Sequence, residues 1–246
     1  PRPADSGIIC RMKLKLPRIV KKIRKRVSRR DALAFLLGAL IMFAGIKAVT
    51  VMRTPQPLKP ASYDVSIPWL PQSVSRWHGE ISDMSRTYQI DPNLLAIIIT
   101  LESGGDPKAK SEAGAIGLMQ ITPPTAKDIA AKFLKEPRTH YDLLDPRTNI
   151  EFGAAYLAYL RDEFGAARQG PSWVETVELV AAGYNGGPGT ANALEQGEGL
   201  RDTQPVIYSR DAFNMWRERH AAKSPTYERW LERGGSHLVE AAKHNQ

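Results

Sequence analysis

A single cysteine in 246 residues rules out an intrachain disulfide, so any core in this chain is held without a covalent cross-link. Cys10 also lies ahead of the long apolar run and follows the bulky Ile9, the reverse of what a lipid-attachment cysteine requires. The histidines, His78, His140, His220, His237 and His244, show no metal-ligand spacing. There is no nucleophile elbow, no phosphate-binding loop and no internal repeat. No strand longer than a few residues is evident; 115–121 has room for a short hairpin. These absences exclude a disulfide scaffold, a zinc module and the common nucleotide-binding designs, and they leave a mainly helical chain.

Acidic charge is scarce where basic charge is dense. Residues 1–30 carry 12 Lys and Arg against one Asp, a net +11, whereas the remainder carries 22 against 25, a net −3. A basic leader ahead of an apolar run reads as a topology signal rather than a nucleic-acid surface. The run is 32–52, apolar apart from Lys47 and Thr50. As a helix it would span ~31 Å, about one hydrocarbon core. Lacking a small-x-small cleavage pair with a polar start behind it, this segment is expected to be an uncleaved anchor. The expected organisation is a basic cytoplasmic tail over 1–30, a transmembrane anchor over 31–52, a Pro-rich spacer over 53–71 and a helical domain over 72–246. That order places the domain outside the cytoplasmic membrane.

Within the domain, helical periodicity starts at Val74, Trp77, Ile81, Met84 and Tyr88. Asp91-Pro92 then opens a helix whose Leu94, Leu95, Ala96, Ile97, Ile98 and Ile99 are apolar almost all round, the mark of a buried helix. Gly104-Gly105 stops it, and just before the stop stands Glu102. Burial and the negative end of the helix dipole both favour the protonated form of such a carboxyl. A carboxyl protonated near neutral pH can serve as a general acid. Further helices are expected from Thr122 or Pro123, from Asp145-Pro146, over Trp173 to Tyr184, and in shorter pieces around 189–194, 206–220 and 226–231.

The residues after Glu102 are specific. The chain reads Glu102-Ser103-Gly104-Gly105-Asp106-Pro107, then Ser111, then Gly114-Ala115-Ile116-Gly117-Leu118-Met119-Gln120. This resembles the signature of the lytic transglycosylases, which cleave bacterial peptidoglycan, and within them the membrane-bound endo-type branch. Gly183-Tyr184-Asn185-Gly186-Gly187 is similar to their second motif, with Gly183 where Ala is usual. The usual C-terminal E-T-x-x-Y-V element is missing. Ser224-Pro225-Thr226-Tyr227 looks like the P-x-Y element of the endo-type branch.

The resemblance covers about 77–231 and implies a lysozyme-like α-helical fold. It carries Glu102 over as catalytic acid and base, Ser111, Met119 and Gln120 as sugar contacts, and Tyr184 and Asn185 as cleft residues. Tyr227 would hold the catalytic carboxyl; Tyr208 is its rival, and a plain core tyrosine is an equal alternative to either. The implied reaction needs one carboxyl, because the muramic acid supplies its own C6 hydroxyl as nucleophile and closes to a 1,6-anhydro end. No metal or organic cofactor is implied. Peptidoglycan strands are the expected partner, with the membrane through the anchor and proteins of an envelope machine as further candidates; nucleic acid is not. Alternatives are a lysozyme-type hydrolase, with Asp106, Glu112 or Asp142 activating water, and a tethered glycan-binding scaffold that does not cut.

Overall fold

The computed structural model describes residues 62–166, 173–197 and 203–245. The expected tail and anchor lie outside them. Among the described residues no helix is long and apolar enough to cross a membrane.

These residues form a helical domain: α1 (Gln72–Ser75), α2 (His78–Tyr88), α3 (Pro92–Ser103), α4 (Pro123–Lys132), α5 (Pro146–Ala166), α6 (Trp173–Gly186), α7 (Pro188–Glu195), α8 (Gln204–Arg217), α9 (Pro225–Trp230) and α10 (Ser236–His244). A π-helical turn, Leu231–Gly235, joins the last two. In place of strands the described residues hold isolated antiparallel bridges, Lys110 with Ile116 and Ile116 with Ile121, on the segment expected to turn back on itself.

Helix α3 is the axis of the core. Leu94 to Ile99 are all without accessible surface. Its faces are covered by α2, α8, α10 and α1, while α6 joins α8 to α5 and α7. Burying six such side chains together contributes on the order of 10 kcal/mol before chain entropy is subtracted. The N-terminus is capped as the sequence predicts: the Asp91 carboxylate accepts the Asn93 N–H at 2.8 Å, with Pro92 in the first turn. Asp91 also accepts the Trp216 indole N–H at 2.8 Å, which ties the start of α3 to the end of α8.

Several expectations are revised. The 74–88 periodicity spans a break at Arg76-Trp77, so it makes α1 and α2 rather than one helix. Phe164-Gly165 reads in the sequence as the start of a loop running to Pro171, yet helix α5 continues through Gly165 to Ala166. The last ten residues assigned to the spacer belong to the domain: Ile67 is buried, Ser66 N–H donates to Asn93 Oδ1 at 2.8 Å, and Trp69 Nε1 donates to the Glu218 carbonyl at 3.1 Å. Proline content suggested a free spacer there, but the aromatic and apolar residues between the prolines bind it down. Helix α10 was not expected at all.

Candidate active site

Glu102 sits one residue before the end of α3, and that end is locked from two sides. Gly104 adopts φ 61° and Gly105 φ 92°, a left-handed geometry that glycine enters freely. A Cβ on Gly104 would lie 2.6 Å from the Leu238 carbonyl carbon, and one on Gly105 2.4 Å from the Ser73 carbonyl oxygen. The paired glycines therefore let the backbones of α10 and α1 close directly on the turn. Ser73 Oγ donates to the Gly104 carbonyl at 2.6 Å, and Trp77 Nε1 to that of Gly105 at 3.2 Å.

The 116–121 loop is bound to this turn. Ser103 Oγ donates to the Leu118 carbonyl at 2.8 Å and accepts the Gly105 N–H at 3.1 Å. Asn149, buried on α5, accepts the Met119 N–H at 2.8 Å and donates to the carbonyls of Ile116 at 2.9 Å and Leu143 at 2.8 Å. Tyr184, on α6, donates its hydroxyl to the Met119 carbonyl at 2.8 Å. One loop thus receives hydrogen bonds from α3, α5 and α6.

The carboxyl of Glu102 accepts the Tyr208 hydroxyl at 2.7 Å, from α8. Burial pushes the Glu102 pKa from 4.5 up to about 7; the Tyr208 bond, which favours the carboxylate, offsets part of that rise. No other carboxylate among the described residues contributes. Burial and the nearby Glu102 charge together push Tyr208 and Tyr184 well above the usual phenol range, so both hydroxyls stay protonated as donors. Glu102 keeps some accessible surface, so the group that titrates near neutrality is also one that a ligand can reach.

The profile of the transglycosylase SLT domain family matches residues 80–207 of this chain. The chain belongs to that family. Membrane-bound lytic murein transglycosylase E of Buchnera aphidicola subsp. Acyrthosiphon pisum is 30% identical over 147 residues, 58% of this chain and 66% of that protein. Membrane-bound lytic murein transglycosylase C of Actinobacillus pleuropneumoniae serotype 5b is 40% identical over 112 residues, 44% of this chain and 30% of that one. The soluble lytic transglycosylase SLT70 of Escherichia coli overlays 62% of this chain and 27% of its own, at 26% identity and a TM-score of 0.46. The chain thus spans from under a third to about two thirds of the curated relatives' length.

Around Glu102 of this SLT domain the residues expected from the sequence take different positions. Ser111 is exposed, and its Oγ accepts the Ala115 N–H at 3.0 Å. Gln120 spends its amide protons inside the loop, on the carbonyls of Ala109 at 3.2 Å and Gly117 at 3.0 Å, which leaves its oxygen to accept from a ligand. The Met119 side chain is wholly buried against Gly153, so its expected sugar contact is corrected to a core contact; its carbonyl anchors Tyr184. Asn185 is exposed at the end of α6.

The hydrogen bond expected of Tyr227 is made by Tyr208. Tyr227 lies in an aromatic stack, with ring centroids 5.2 Å from Trp69 and 5.7 Å from Trp230. The P-x-Y pattern marks the start of α9, where Ser224 caps, and not the carboxyl's partner. Asn149 and Ser103 were missed as supports. The available signal was an Asn among the apolar positions of α5, beside Ile150.

Proposed function

We propose that this SLT domain is a peptidoglycan lytic transglycosylase that cuts the β-1,4 bond from N-acetylmuramic acid to N-acetylglucosamine without consuming water. The observation that carries the reading is Glu102: a part-buried carboxyl poised at about 7, gripped by Tyr208, with no second carboxylate acting on it among the described residues. As an acid, Glu102 protonates the glycosidic oxygen. As the resulting carboxylate, it takes the proton from the C6 hydroxyl of the same muramic acid, which closes on C1. A group balanced near the working pH serves both half-steps. The tethered hydroxyl supplies the nucleophile at high effective concentration. Tyr208 stabilises the carboxylate between the steps. The scheme needs no metal or organic cofactor.

A hydrolase would need a second carboxylate, within about 5–9.5 Å of the first. Of the acids expected for that role, Asp106 has its oxygens engaged by the Lys108 N–H at 2.9 Å and the Asn245 amide at 2.8 Å. Asp142 accepts the Leu144 N–H at 2.9 Å, and Glu112 is exposed. Digestion of purified sacculi with the full-length protein decides between the schemes. Soluble products one water lighter than reducing sugars support the transglycosylase. Reducing ends point to the hydrolase, and binding without any release points to the scaffold.

The setting is proposed with it. Residues 31–52 would anchor the chain in the bacterial inner membrane by a single pass and hold the SLT domain in the periplasm against the glycan strands. Two lines support it: the basic leader ahead of that apolar run, and relatives named membrane-bound.

A further inference from the structure

Helices α3 and α8 pack together, and hydrogen bonds join them near both ends. At the catalytic end, Tyr208 in the second turn of α8 donates to Glu102 at 2.7 Å. At the far end, Trp216 in the last turn of α8 donates its indole N–H to Asp91, the N-cap of α3, at 2.8 Å. The two helices therefore run antiparallel. Asp91 to Glu102 covers ~16 Å of helix, and Tyr208 to Trp216 ~12 Å. Both members of the far pair are buried.

The far bond is itself clamped. The Asp91 carboxylate uses one oxygen on the Asn93 N–H at 2.8 Å and the other on Trp216. Asn93 Oδ1 accepts the Ser66 N–H at 2.8 Å, and the Glu218 carbonyl accepts the Trp69 indole N–H at 3.1 Å. Arg219 lies over the Trp216 ring, 3.9 Å from its centroid, and donates to the Trp216 carbonyl at 2.7 Å. Segment 66–69 thus joins the start of α3 to the end of α8 beside the bond between them. Between the two bonds α8 buries Ala212 and Met215 completely. Apolar contact of that kind is non-directional, so it resists separation of the helices more than sliding. A slide by one residue's rise, ~1.5 Å, exceeds the full spread of O–H···O distances, about 2.5–3.0 Å. The Tyr208 bond therefore needs α8 held in register, and a charge-assisted bond at the opposite end supplies the stop.

We propose that Asp91 and Trp216 are positioning residues for the catalytic carboxyl: their bond fixes where α8 stands on α3 and so keeps the Tyr208 hydroxyl on Glu102. The inference rests on the acid–base reading of Glu102 above and adds what sets that group from the other end of its helix. Among the described residues the titratable groups facing Glu102 are Tyr208 from α8 and Tyr184 from α6; α1, α2 and α10 bring none. Tyr184 is held separately, by its bond to the Met119 carbonyl at 2.8 Å, so a slip of α8 reaches Glu102 through Tyr208.

The test compares full-length wild type with Asp91→Asn and Trp216→Phe. Asn in place of Asp91 still caps a helix, but its one accepting oxygen cannot serve both the Asn93 N–H and the indole N–H. Phe in place of Trp216 removes the donor and keeps an aromatic ring. Ile129→Val, a core truncation on α4, is the control for lost stability. Two readouts follow the Glu102 proton: the pH profile of kcat/KM on sacculi, and the pH titration of the Glu102 carboxyl-carbon NMR signal, assigned by its loss in Glu102→Gln. In Asp91→Asn and Trp216→Phe the midpoint should move to higher pH by about half a unit to one unit. That is the direction of Tyr208→Phe and the size of one weakened hydrogen bond to a charged group. Asp91→Asn combined with Tyr208→Phe should move it no further than Tyr208→Phe alone, because the bond that the register protects is already gone. Ile129→Val should melt lower and leave the midpoint in place. An unmoved NMR midpoint in variants that circular dichroism shows folded overturns the proposal, as does a full further shift on top of Tyr208→Phe. A moved NMR midpoint beside an unmoved activity profile supports the pairing and counts against the acid–base scheme, so the two readings fail separately.

Discussion

At the residue scale everything turns on a proton at Glu102. Glu102→Gln keeps the size of the side chain and removes the ionisable group. It should lower turnover of sacculi by 10²–10⁴-fold or more with the fold intact, as read by muropeptide release beside circular dichroism. Free enzyme must hold the proton to begin, so kcat/KM should fall as pH rises through about 7. Tyr208→Phe removes a bond that favours the carboxylate, so that fall should move to higher pH while the fold persists. An unmoved profile would separate Tyr208 from the titration. The same proton is linked to stability. Glu102 has a raised folded pKa, so between 4.5 and about 7 the folded state keeps a proton that the unfolded state has lost. Stability should therefore decline as pH rises across that window, by at most about 3 kcal/mol. Glu102→Gln should melt above wild type at pH 8 and close to it at pH 4. Glu102 was legible as an acid because its position follows from a local pattern, an apolar helix with a Gly-Gly stop. Its tyrosine was not, since Tyr208 and Tyr227 are both tyrosines near helix starts and only packing brings one of them to the carboxyl.

At the scale of elements, the end of α3 is a joint between α1, α10 and the 116–121 loop. Gly104→Ala puts a Cβ into the Leu238 backbone at a positive φ. Left-handed strain alone costs about 1–2 kcal/mol, and a backbone clash adds to it. The melting temperature should drop by at least about 2–8 °C for a domain of this size. An Ala variant that melts with wild type would mean that α10 does not press on this turn. Asn149→Ala should also reduce activity, although Asn149 does not touch Glu102, because it strands the Met119 N–H and frees the loop. The expected cost is about 1–3 kcal/mol, checked by denaturant unfolding. Capping of α3 by Asp91 and of α4 by Thr122 was readable, since caps are local chemistry. Helix α10 was not. Its buried Val239 and Ala242 make a short pattern behind Gly234-Gly235, and its role depends on a glycine more than a hundred residues earlier.

For the whole molecule the outstanding expectation is topology. A reporter active only in the periplasm, fused after Gln246, should be active, and protease added to spheroplasts should reach the domain. Full protection would reverse the orientation drawn from the leader. Residues 62–71 narrow the distance any tether spans, because the domain begins well before the last proline assigned to the spacer.

The sequence by itself determined the helical class, the central buried helix, its cap and stop, and the acid at its end. All of these depend on residues within a turn or two of one another. It also carried the loop signature, whose run of small and polar residues marks close backbone packing whatever lies opposite. Only the tertiary structure decided which hydroxyl holds Glu102, that Met119 faces the core, that Asn149 braces the loop and that α10 closes on Gly104. Those depend on contacts between residues tens to more than a hundred positions apart. A side chain's identity sets what it can bond to; the packing of α3, α5, α8 and α10 sets which partner is within reach.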